Sequence, residues 1–447
     1  MRLIREIDQD ADGLLRIPPE MDVPISDRVR RLIDTPPLKH LGQISQLGLV
    51  HLVYPGARHS RLEHSLGVYR NSLSVLRTLQ NNPSFRSIVD QRGAEAFVIA
   101  ALFHDAGHWP FCHAIEDMRL AQMPRHESRV DAIVRQVDIV ELLERDWFAT
   151  SDDVMSILLG KRSGESGLSD AEVELLASCI SGPVDVDKLD YLVRDSLHVG
   201  VPYGRNFDVS RLLSSLTVHP QKPRLAISEK GRTAAEMMVF ARYVMFSEVY
   251  WHHAVRSATA MLQRLVFELQ TTIDLKATFD FDDTRWISTI QAAAANNHAK
   301  ILASGLFGPT RRLYKRAAEF NILDRPELHR SLAHRPYWWQ VACGDELARQ
   351  LSRKSGQTIH PWELLIDAPP VKLEVDINMD VVNKTGDVRK LGDVSPVAHA
   401  LAHQQFDGHV KRVRIFVADH LRETVAKWLH DDQWICEAIA SVNREVV

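Results

Sequence analysis

The chain has 447 residues, of which 45% are apolar and 25% charged, and this balance excludes a disordered or fibrous protein. Its net charge of −4 argues against broad affinity for nucleic acid or anionic lipid, so any anion-binding site has to be local. The four cysteines stand far apart, and no apolar run approaches the ~20 residues of a membrane span. We therefore expect a reduced, cytoplasmic protein that does not enter a membrane.

Apolar residues recur at three- and four-residue spacing through most of residues 20–350, which predicts a mainly α protein. After about residue 360 the pattern changes, and the segments VKLEVDI and VKRVRIFVA favour strands. We therefore predict a helical domain over residues 1–350, with its core motifs in residues 46–200. A small α/β segment is predicted over residues 351–447.

Two predicted helices carry polar residues where a core is expected. The segment HSRLEHSLGVYRN places Arg61, His64 and Val68 on one helix face, at positions i, i+3 and i+7. The segment AEAFVIAALF is apolar enough to be a buried helix, yet it runs directly into His104 and Asp105. The pair either caps a helix end or binds a cation, because a carboxylate at the negative end of a buried helix is costly unless compensated.

A third helix is predicted from about Asp187, within PVDVDKLDYLVRDSLHVG, because its apolar side chains separate from its polar ones. The polar side is either a solvated surface or one wall of a site. It consists of Asp187, Tyr191, Arg194, Asp195 and His198.

Two imidazoles and two carboxylates would make a mixed nitrogen and oxygen ligand set for one divalent cation, formed by His64, His104, Asp105 and Asp187. Such a set suits Mn²⁺, Fe²⁺, Mg²⁺, Ni²⁺ or Zn²⁺ and leaves positions for water and substrate. A cation of this kind can lower the pKa of a bound water and polarise a phosphoryl oxygen.

The order H…HD…D resembles the HD-domain phosphohydrolase superfamily. The segments YPGARHSRLEHSLGV, FHDAGHWPFCH, RHE and DVDKLDYLVRD are similar to the deoxynucleoside triphosphate triphosphohydrolases, which include the vertebrate SAM-and-HD-domain enzyme and bacterial dGTPase-like proteins. The resemblance runs from about residue 33 to about residue 364. It implies an HD-domain helical core and hydrolysis of a dNTP to a deoxynucleoside and inorganic triphosphate.

The resemblance also assigns roles around the cation. Triphosphate binding is implied for four residues, namely Arg61, His108, Lys188 and His126, of which His126 belongs to the catalytic group. His113 would protonate the departing 5′-oxygen, and Glu116, three residues later, would orient it. The family usually has Asp where this chain has Glu116.

Sugar recognition is implied for Gln46 and Asp195 at the 3′-hydroxyl and for Tyr191 against the ring. Without the resemblance, Gln46 reads as an ordinary polar loop residue. The family binds one divalent cation in each site and allows a second Mg²⁺ to accompany the triphosphate. Its members assemble as tetramers or hexamers, so we expect a homo-oligomer.

Some positions depart from the family. Gly42 stands where the vertebrate enzyme has an Arg that binds an activating guanine nucleotide, so the resemblance does not extend to that activation. A cationic cluster, which we expect on a solvated helix face rather than at a nucleotide or subunit contact, comprises Arg311, Arg312, Lys315 and Arg316. Two other functions stay open: an HD phosphatase or phosphodiesterase acting on another nucleotide, and a nucleotide-sensing or nucleic-acid-binding module without turnover.

Overall fold

The computed structural model describes residues 4–8, 13–19, 21–368 and 377–445. Helices dominate these residues, which confirms the mainly α prediction. The N-terminal helices are α1 Asp27–Ile33, α2 Pro36–Leu41, α3 Arg61–Leu79, α4 Pro83–Ile88, α5 Gln91–Phe103, α6 Cys112–Glu116, α7 His126–Val134, α8 Val137–Asp146, α9 Ser151–Leu159, α10 Asp170–Ile180 and α11 Val186–Val199.

The later helices lie between residues 209 and 445. They are α12 Val209–Ser214, α13 Arg232–Met245, α14 His253–Leu269, α15 Asp283–Ala294, α16 Ala299–Phe307, α17 Pro326–Leu332, α18 Tyr337–Ser355, α19 Leu391–Val394, α20 Pro396–His399, α21 Arg422–Trp428 and α22 Gln433–Glu445. Within the described ranges, no helix combines the length and apolarity that crossing a bilayer requires.

In the part of the chain that the structure describes, the strands form three small sheets. They are β1 Gly13–Ile17, β2 Met21–Ile25, β3 Leu216–Val218, β4 Leu225–Ser228, β5 Lys315–Phe320, β6 Leu364–Asp367, β7 Asp380–Val382, β8 Val388–Lys390 and β9 Val413–Val417. Strands β1 and β2 form a hairpin, the second sheet has the order β3-β4-β7-β8, and the third has β9 between β5 and β6. The β4 and β7 pair is parallel, and the other pairs are antiparallel.

The sheets join segments from both sides of residue 350. Strand β9 confirms the strand predicted in VKRVRIFVA, and it pairs with β5, which precedes residue 350. The other predicted strand, over residues 371–377, lies outside the described residues except for Ile377. The division into residues 1–350 and 351–447 stays a prediction.

The cationic cluster does not lie on a helix. Arg311 and Arg312 lie in the connection between α16 and β5, while Lys315 and Arg316 begin β5. The helix expectation was therefore wrong, because pairing with β9 overrides the local propensity of Lys315 and Arg316, and Arg311 and Arg312 lie in the connection before that strand. All four residues line a cavity of about 1180 Å³.

Helices α3, α5 and α11 carry the motifs and pack against one another through α3. Ser60 caps α3, accepting a hydrogen bond from the Glu63 amide at 3.2 Å, and Asp185 caps α11 through the Lys188 amide at 2.8 Å. Helix α5 is buried from Gly93 to its end, as its continuous apolar sequence predicts. The three helix ends thereby approach one region of the molecule.

Gly67 allows α3 to lie directly against α11. A Cβ at Gly67 would lie 1.8 Å from Asp190 Oδ1 and 2.4 Å from Arg194 Nη2. Both of those side chains are almost completely buried, so they have little room to move away. The absence of a side chain at this position sets the spacing of the two helices.

We expect Gly67→Ala to destabilise the fold by about 1–3 kcal/mol, because overpacking a tight helix contact forces the neighbours to shift. Ser74→Ala, on the same helix, is the matched control, since Ser74 is only partly buried and bonds to its own helix. Denaturant unfolding measures both changes. Equal midpoints for the two variants would contradict the close approach at Gly67.

Candidate functional site

The four predicted cation ligands converge from three elements: His64 on α3, His104 and Asp105 at the end of α5, and Asp187 in the first turn of α11. His64 Nε2 lies 3.3 Å from His104 Nε2 and 3.0 Å from Asp187 Oδ1. Asp105 Oδ1 lies 3.3 Å from His104 Nε2. Ligand atoms of His64, His104 and Asp105 all fall within 4.8 Å of one another.

The donor set fits a divalent cation. Two imidazole nitrogens that share a tetrahedral metal at ~2.0–2.1 Å stand about 3.3 Å apart, which is the separation observed between His64 and His104. The Asp105 and Asp187 carboxylates add oxygen donors, and no thiol belongs to this set. The combination suits the N/O-binding metals expected from the sequence.

His104 also occupies the C-cap of α5, so the capping interpretation is partly correct. Its Nδ1 lies 2.9 Å from the Ala101 carbonyl oxygen, and its Nε2 faces His64. One ring nitrogen is thus used by the helix end, and the other one remains for a ligand.

Asp105 is buried but strongly compensated. Its Oδ2 accepts a hydrogen bond from Arg61 Nη1 at 2.8 Å. Burial alone would raise the pKa of Asp105, but the charges of His108, His104 and Arg61 hold it well below its usual range. Asp105 is therefore an ionised oxygen donor.

Asp190, which the sequence analysis did not single out, holds His64 in place. Its Oδ2 lies 2.8 Å from His64 Nδ1, and it also accepts two hydrogen bonds of 2.8 Å from Arg194. Arg194 in turn donates to Glu63 Oε1 at 2.7 Å. Asp190 follows Asp187 by three residues and precedes Arg194 by four, and this helical spacing was the signal available in the sequence.

The acidic surroundings of His64 favour positive charge at this place. Burial lowers the pKa of His64, but hydrogen bonds to Asp187 and Asp190 outweigh burial and raise it to about 10. The same charge requirement is met by a divalent cation bound to neutral His64.

A second group of side chains adjoins the first; we call it the imidazole cluster and define it as His108, Cys112, His113, Glu116 and His126. His108 Nε2 lies 3.3 Å from His113 Nε2, and the rings of His108 and His126 have centroids 3.8 Å apart. Its connection to the first site is His108 Nδ1, which lies 3.4 Å from Asp105 Oδ1.

Within this cluster, Glu116 binds His126 more closely than His113. Both Glu116 oxygens lie 3.0 Å from His126 Nδ1, whereas Glu116 Oε2 lies 3.8 Å from His113 Nδ1. Desolvation and the Arg61 cation lower the pKa of His113, although water screens this effect because the side chain is 64% exposed. The predicted orienting role of Glu116 stays a prediction.

The residues predicted to bind the sugar lie within α11, which carries Tyr191 and Asp195, and in the connection between α2 and α3, which carries Gln46. Asp195 accepts hydrogen bonds from Tyr250 at 2.6 Å and pairs with His59 Nε2 at 2.9 Å. The Tyr191 ring lies edge-on to Tyr250, with centroids 6.5 Å apart. His59 and Tyr250 were not among the predicted site residues.

Two further predicted residues, Lys188 and Gln46, are held by hydrogen bonds within the protein, Lys188 through its side chain and Gln46 through its backbone. Lys188 Nζ lies 2.5 Å from Asp185 Oδ2, which directs the ammonium group back to the cap of its own helix. The Gln46 backbone amide donates to the His59 carbonyl oxygen at 2.9 Å. Gln46 is thereby held beside the loop that leads into α3.

Three buried polar atoms near the site have no hydrogen-bond partner among the described residues: Gln46 Oε1, His59 Nδ1 and Arg61 Nε. Buried polar groups are normally satisfied, and each such atom calls for a water or a ligand. Arg61 contacts Asp105, His59 contacts Asp195, and Gln46 is bonded to the His59 backbone, so the three unpartnered atoms indicate a place for a polar molecule beside these residues.

Comparison with known families assigns the class. Residues 61–192 match the family described as HD domain, and residues 207–432 match the HD associated region. The chain belongs to the HD-domain phosphohydrolase family.

Relatives extend the comparison. An uncharacterized protein of Methanocaldococcus jannaschii is 28% identical over 384 residues, which cover 85% of this chain and 74% of that protein. Protein YwfO of Bacillus subtilis is 32% identical over 235 residues, or 53% of this chain and 50% of that one. The deoxynucleoside triphosphate triphosphohydrolase of Xenopus laevis is 29% identical over 256 residues, which are 50% of this chain and 40% of that enzyme. The chain thus spans half or less of the last two.

Solved structures share the fold over most of the chain. A hypothetical protein from Aquifex aeolicus has a TM-score of 0.69 at 25% identity, covering 93% of this chain and 99% of that one. A phosphohydrolase from Bacteroides thetaiotaomicron has a TM-score of 0.66 at 23% identity, covering 91% and 100%. The arrangement of helices and small sheets is therefore common to these proteins.

We expect Asp190→Asn to weaken binding of Mn²⁺ by about 10–100-fold, because loss of the partner of a ligating imidazole has effects of this size. Glu63→Gln is the control, since it disturbs Arg194 without touching His64. Calorimetric titration of the full chain gives both affinities. An equal loss in the two variants would assign the effect to Arg194 rather than to His64.

Proposed function

We propose that the chain hydrolyses deoxynucleoside triphosphates to a deoxynucleoside and inorganic triphosphate. The observation that carries this proposal is the contact between the cation ligand set and the imidazole cluster, joined by Asp105 and His108. A phosphohydrolase needs both a cation for phosphoryl oxygens and a proton donor for the leaving oxygen. The triphosphohydrolase activity named for the Xenopus laevis relative supports the substrate.

In this proposal one divalent cation is held by His64, His104, Asp105 and Asp187. The cation supplies Lewis-acid stabilisation of a phosphoryl oxygen and a bound water of lowered pKa. The donors are compatible with Mn²⁺, Fe²⁺, Mg²⁺, Ni²⁺ or Zn²⁺. A second Mg²⁺ can arrive with the triphosphate.

The triphosphate is assigned to Arg61, His108, Lys188 and His126. Arg61 supports this role because its Nη1 is fixed on Asp105 while its Nε has no partner among the described residues. A guanidinium that is already buried and oriented stabilises growing negative charge without reorganising.

His113 is assigned as the general acid for the 5′-oxygen. Its exposure distinguishes it from the buried His108 and allows it to reach a bound substrate. A polyanionic substrate offsets the effect of Arg61 and favours the protonated imidazole that this role requires. Glu116 is assigned to orient His126, which it contacts directly, and to influence His113 at longer range.

The sugar is assigned to Gln46, Tyr191 and Asp195. The unpartnered Gln46 Oε1 supports a contact with a hydroxyl group. Packing of the sugar against Tyr191 would exclude a 2′-hydroxyl. We further propose a homo-oligomer, a tetramer or hexamer, located in the cytoplasm, with the catalytic domain in residues 1–350.

One observation favours a second function, an HD phosphatase or phosphodiesterase acting on another nucleotide. Asp195 already bonds His59 and Tyr250, so its carboxylate has a structural role without any sugar. A sensing module without turnover is less consistent with an exposed imidazole beside a complete cation ligand set.

The proposal is tested by incubating the full chain with each dNTP and Mn²⁺ and separating the products. We expect deoxynucleoside and inorganic triphosphate in equal amounts, because cleavage at the α-phosphorus releases the triphosphate intact. His64→Ala should show no turnover. Release of orthophosphate or a nucleoside monophosphate from the wild type would instead assign the second function.

Asp195→Ala tests the sugar role. If Asp195 holds the 3′-hydroxyl of a deoxyribose packed on Tyr191, the ratio of kcat/KM for dGTP over 2′,3′-dideoxyguanosine triphosphate, which lacks that hydroxyl, should fall by about tenfold or more, because an unmet hydrogen bond costs ~1–3 kcal/mol. Tyr250→Phe is the control, since it removes one partner of Asp195 but keeps the carboxylate. An equal loss for both nucleotides in Asp195→Ala would leave Asp195 with a structural role only.

A further inference from the structure

The imidazole cluster contains a thiol for which the proposed reaction has no use. Cys112 is 1% exposed at the beginning of α6. Its Sγ and one ring nitrogen each of His108 and His126 lie within 4.8 Å of one another. The first cation site contains no sulfur, so the two neighbouring groups of ligands differ in chemical softness.

The two imidazoles of this group are oriented as metal ligands usually are. His126 Nδ1 lies 3.0 Å from the Glu116 carboxylate, and His108 Nδ1 lies 3.1 Å from the Asp105 carbonyl oxygen. Protein groups that hold one ring nitrogen fix the direction of the other one. Nε2 of each ring therefore remains for a ligand.

The spacing also suits a small tetrahedral cation. Cys112 Sγ and one ring nitrogen each of His108 and His126 fall within 4.8 Å of one another, and the centroids of the two rings are 3.8 Å apart. In a zinc site, nitrogens stand about 3.3 Å apart, and nitrogen and sulfur stand about 3.6 Å apart. From the 4.8 Å bound, side-chain shifts of up to about 1.5 Å bring the three ligand atoms to those separations.

We propose that His108, Cys112 and His126 form a second cation site, which is specific for thiophilic ions and takes Zn²⁺. Two imidazoles and a thiolate favour Zn²⁺ over Mg²⁺ and Mn²⁺, which prefer oxygen. Binding deprotonates Cys112 and releases its proton to solvent. The first site has two carboxylates, so it remains the site of the divalent cation that the proposed reaction uses.

Occupation of this second site has a consequence that rests on the proposed function. His108 and His126 are assigned to the triphosphate, and His113 Nε2 lies 3.3 Å from His108 Nε2. Zinc bound there engages the nitrogens that the substrate requires. The site is therefore inhibitory, and it makes turnover sensitive to free Zn²⁺.

The site is tested by titrating the full chain with Co²⁺, whose thiolate complexes have a charge-transfer band in the near ultraviolet. Cys436 is exposed, so all variants carry Cys436→Ser to remove adventitious cobalt binding. We expect the band to appear, to vanish in Cys112→Ser, and to persist in Cys179→Ser, a buried thiol on α10. Adding Zn²⁺ should bleach the band.

Two results would overturn the site: absence of the band in the Cys436→Ser parent, or an unchanged band in Cys112→Ser. His64→Ala removes the first cation site and should leave the band intact, which separates the two sites without any substrate. Inhibition is a separate measurement, in which Cys112→Ser should raise the inhibition constant for Zn²⁺ by about tenfold or more. If no dNTP is hydrolysed, the proposed function fails while the spectra still decide the site.

Discussion

The contact between Asp190 and His64 is the constraint on which the rest of the site depends. Asp190 reaches across from α11 to hold a ring on α3, and it can do so because Gly67 lets the helices lie close together. Arg194 balances the charge of Asp190, so a buried carboxylate becomes tolerable inside the helix pair. The position of one imidazole therefore requires a glycine, an acid and a guanidinium on two helices.

Local sequence patterns could predict the helices and the elements that carry the four proposed cation ligands. Ser60 caps α3 and its helical period then orients Arg61 and His64, while the unbroken apolar run of α5 must end where His104 and Asp105 begin. Each of these features depends on neighbours in the chain, and local patterns report such features well. The strand β9 was predicted for the same reason.

Tertiary partners were not predictable in this way. His59 and Tyr250 both bond Asp195, but they lie 136 and 55 residues from it along the chain, and no periodic pattern links positions so far apart. Likewise, Lys315 and Arg316 form a strand because β9 is available to pair with them, which the segment itself does not reveal. Contacts between residues far apart in the chain determine the structure at these positions. A single sequence without its fold does not predict them.

Asp105 ties together the two groups of ligands that make up the site. Its Oδ1 faces His104 at 3.3 Å and His108 Nδ1 at 3.4 Å, while its Oδ2 is bound by Arg61. The contacts of Asp105 with His104 and His108 are buried and poorly screened by water. A charge added near one of these imidazoles therefore changes the electrostatic potential at the other. A cation held by His64 and His104 would make the potential at His108 less negative, and a polyanion bound by Arg61, as the proposed function requires, would restore it. The two clusters therefore form one electrostatic unit, in which, under the proposed function, a metal and a phosphate chain would compensate each other's charge.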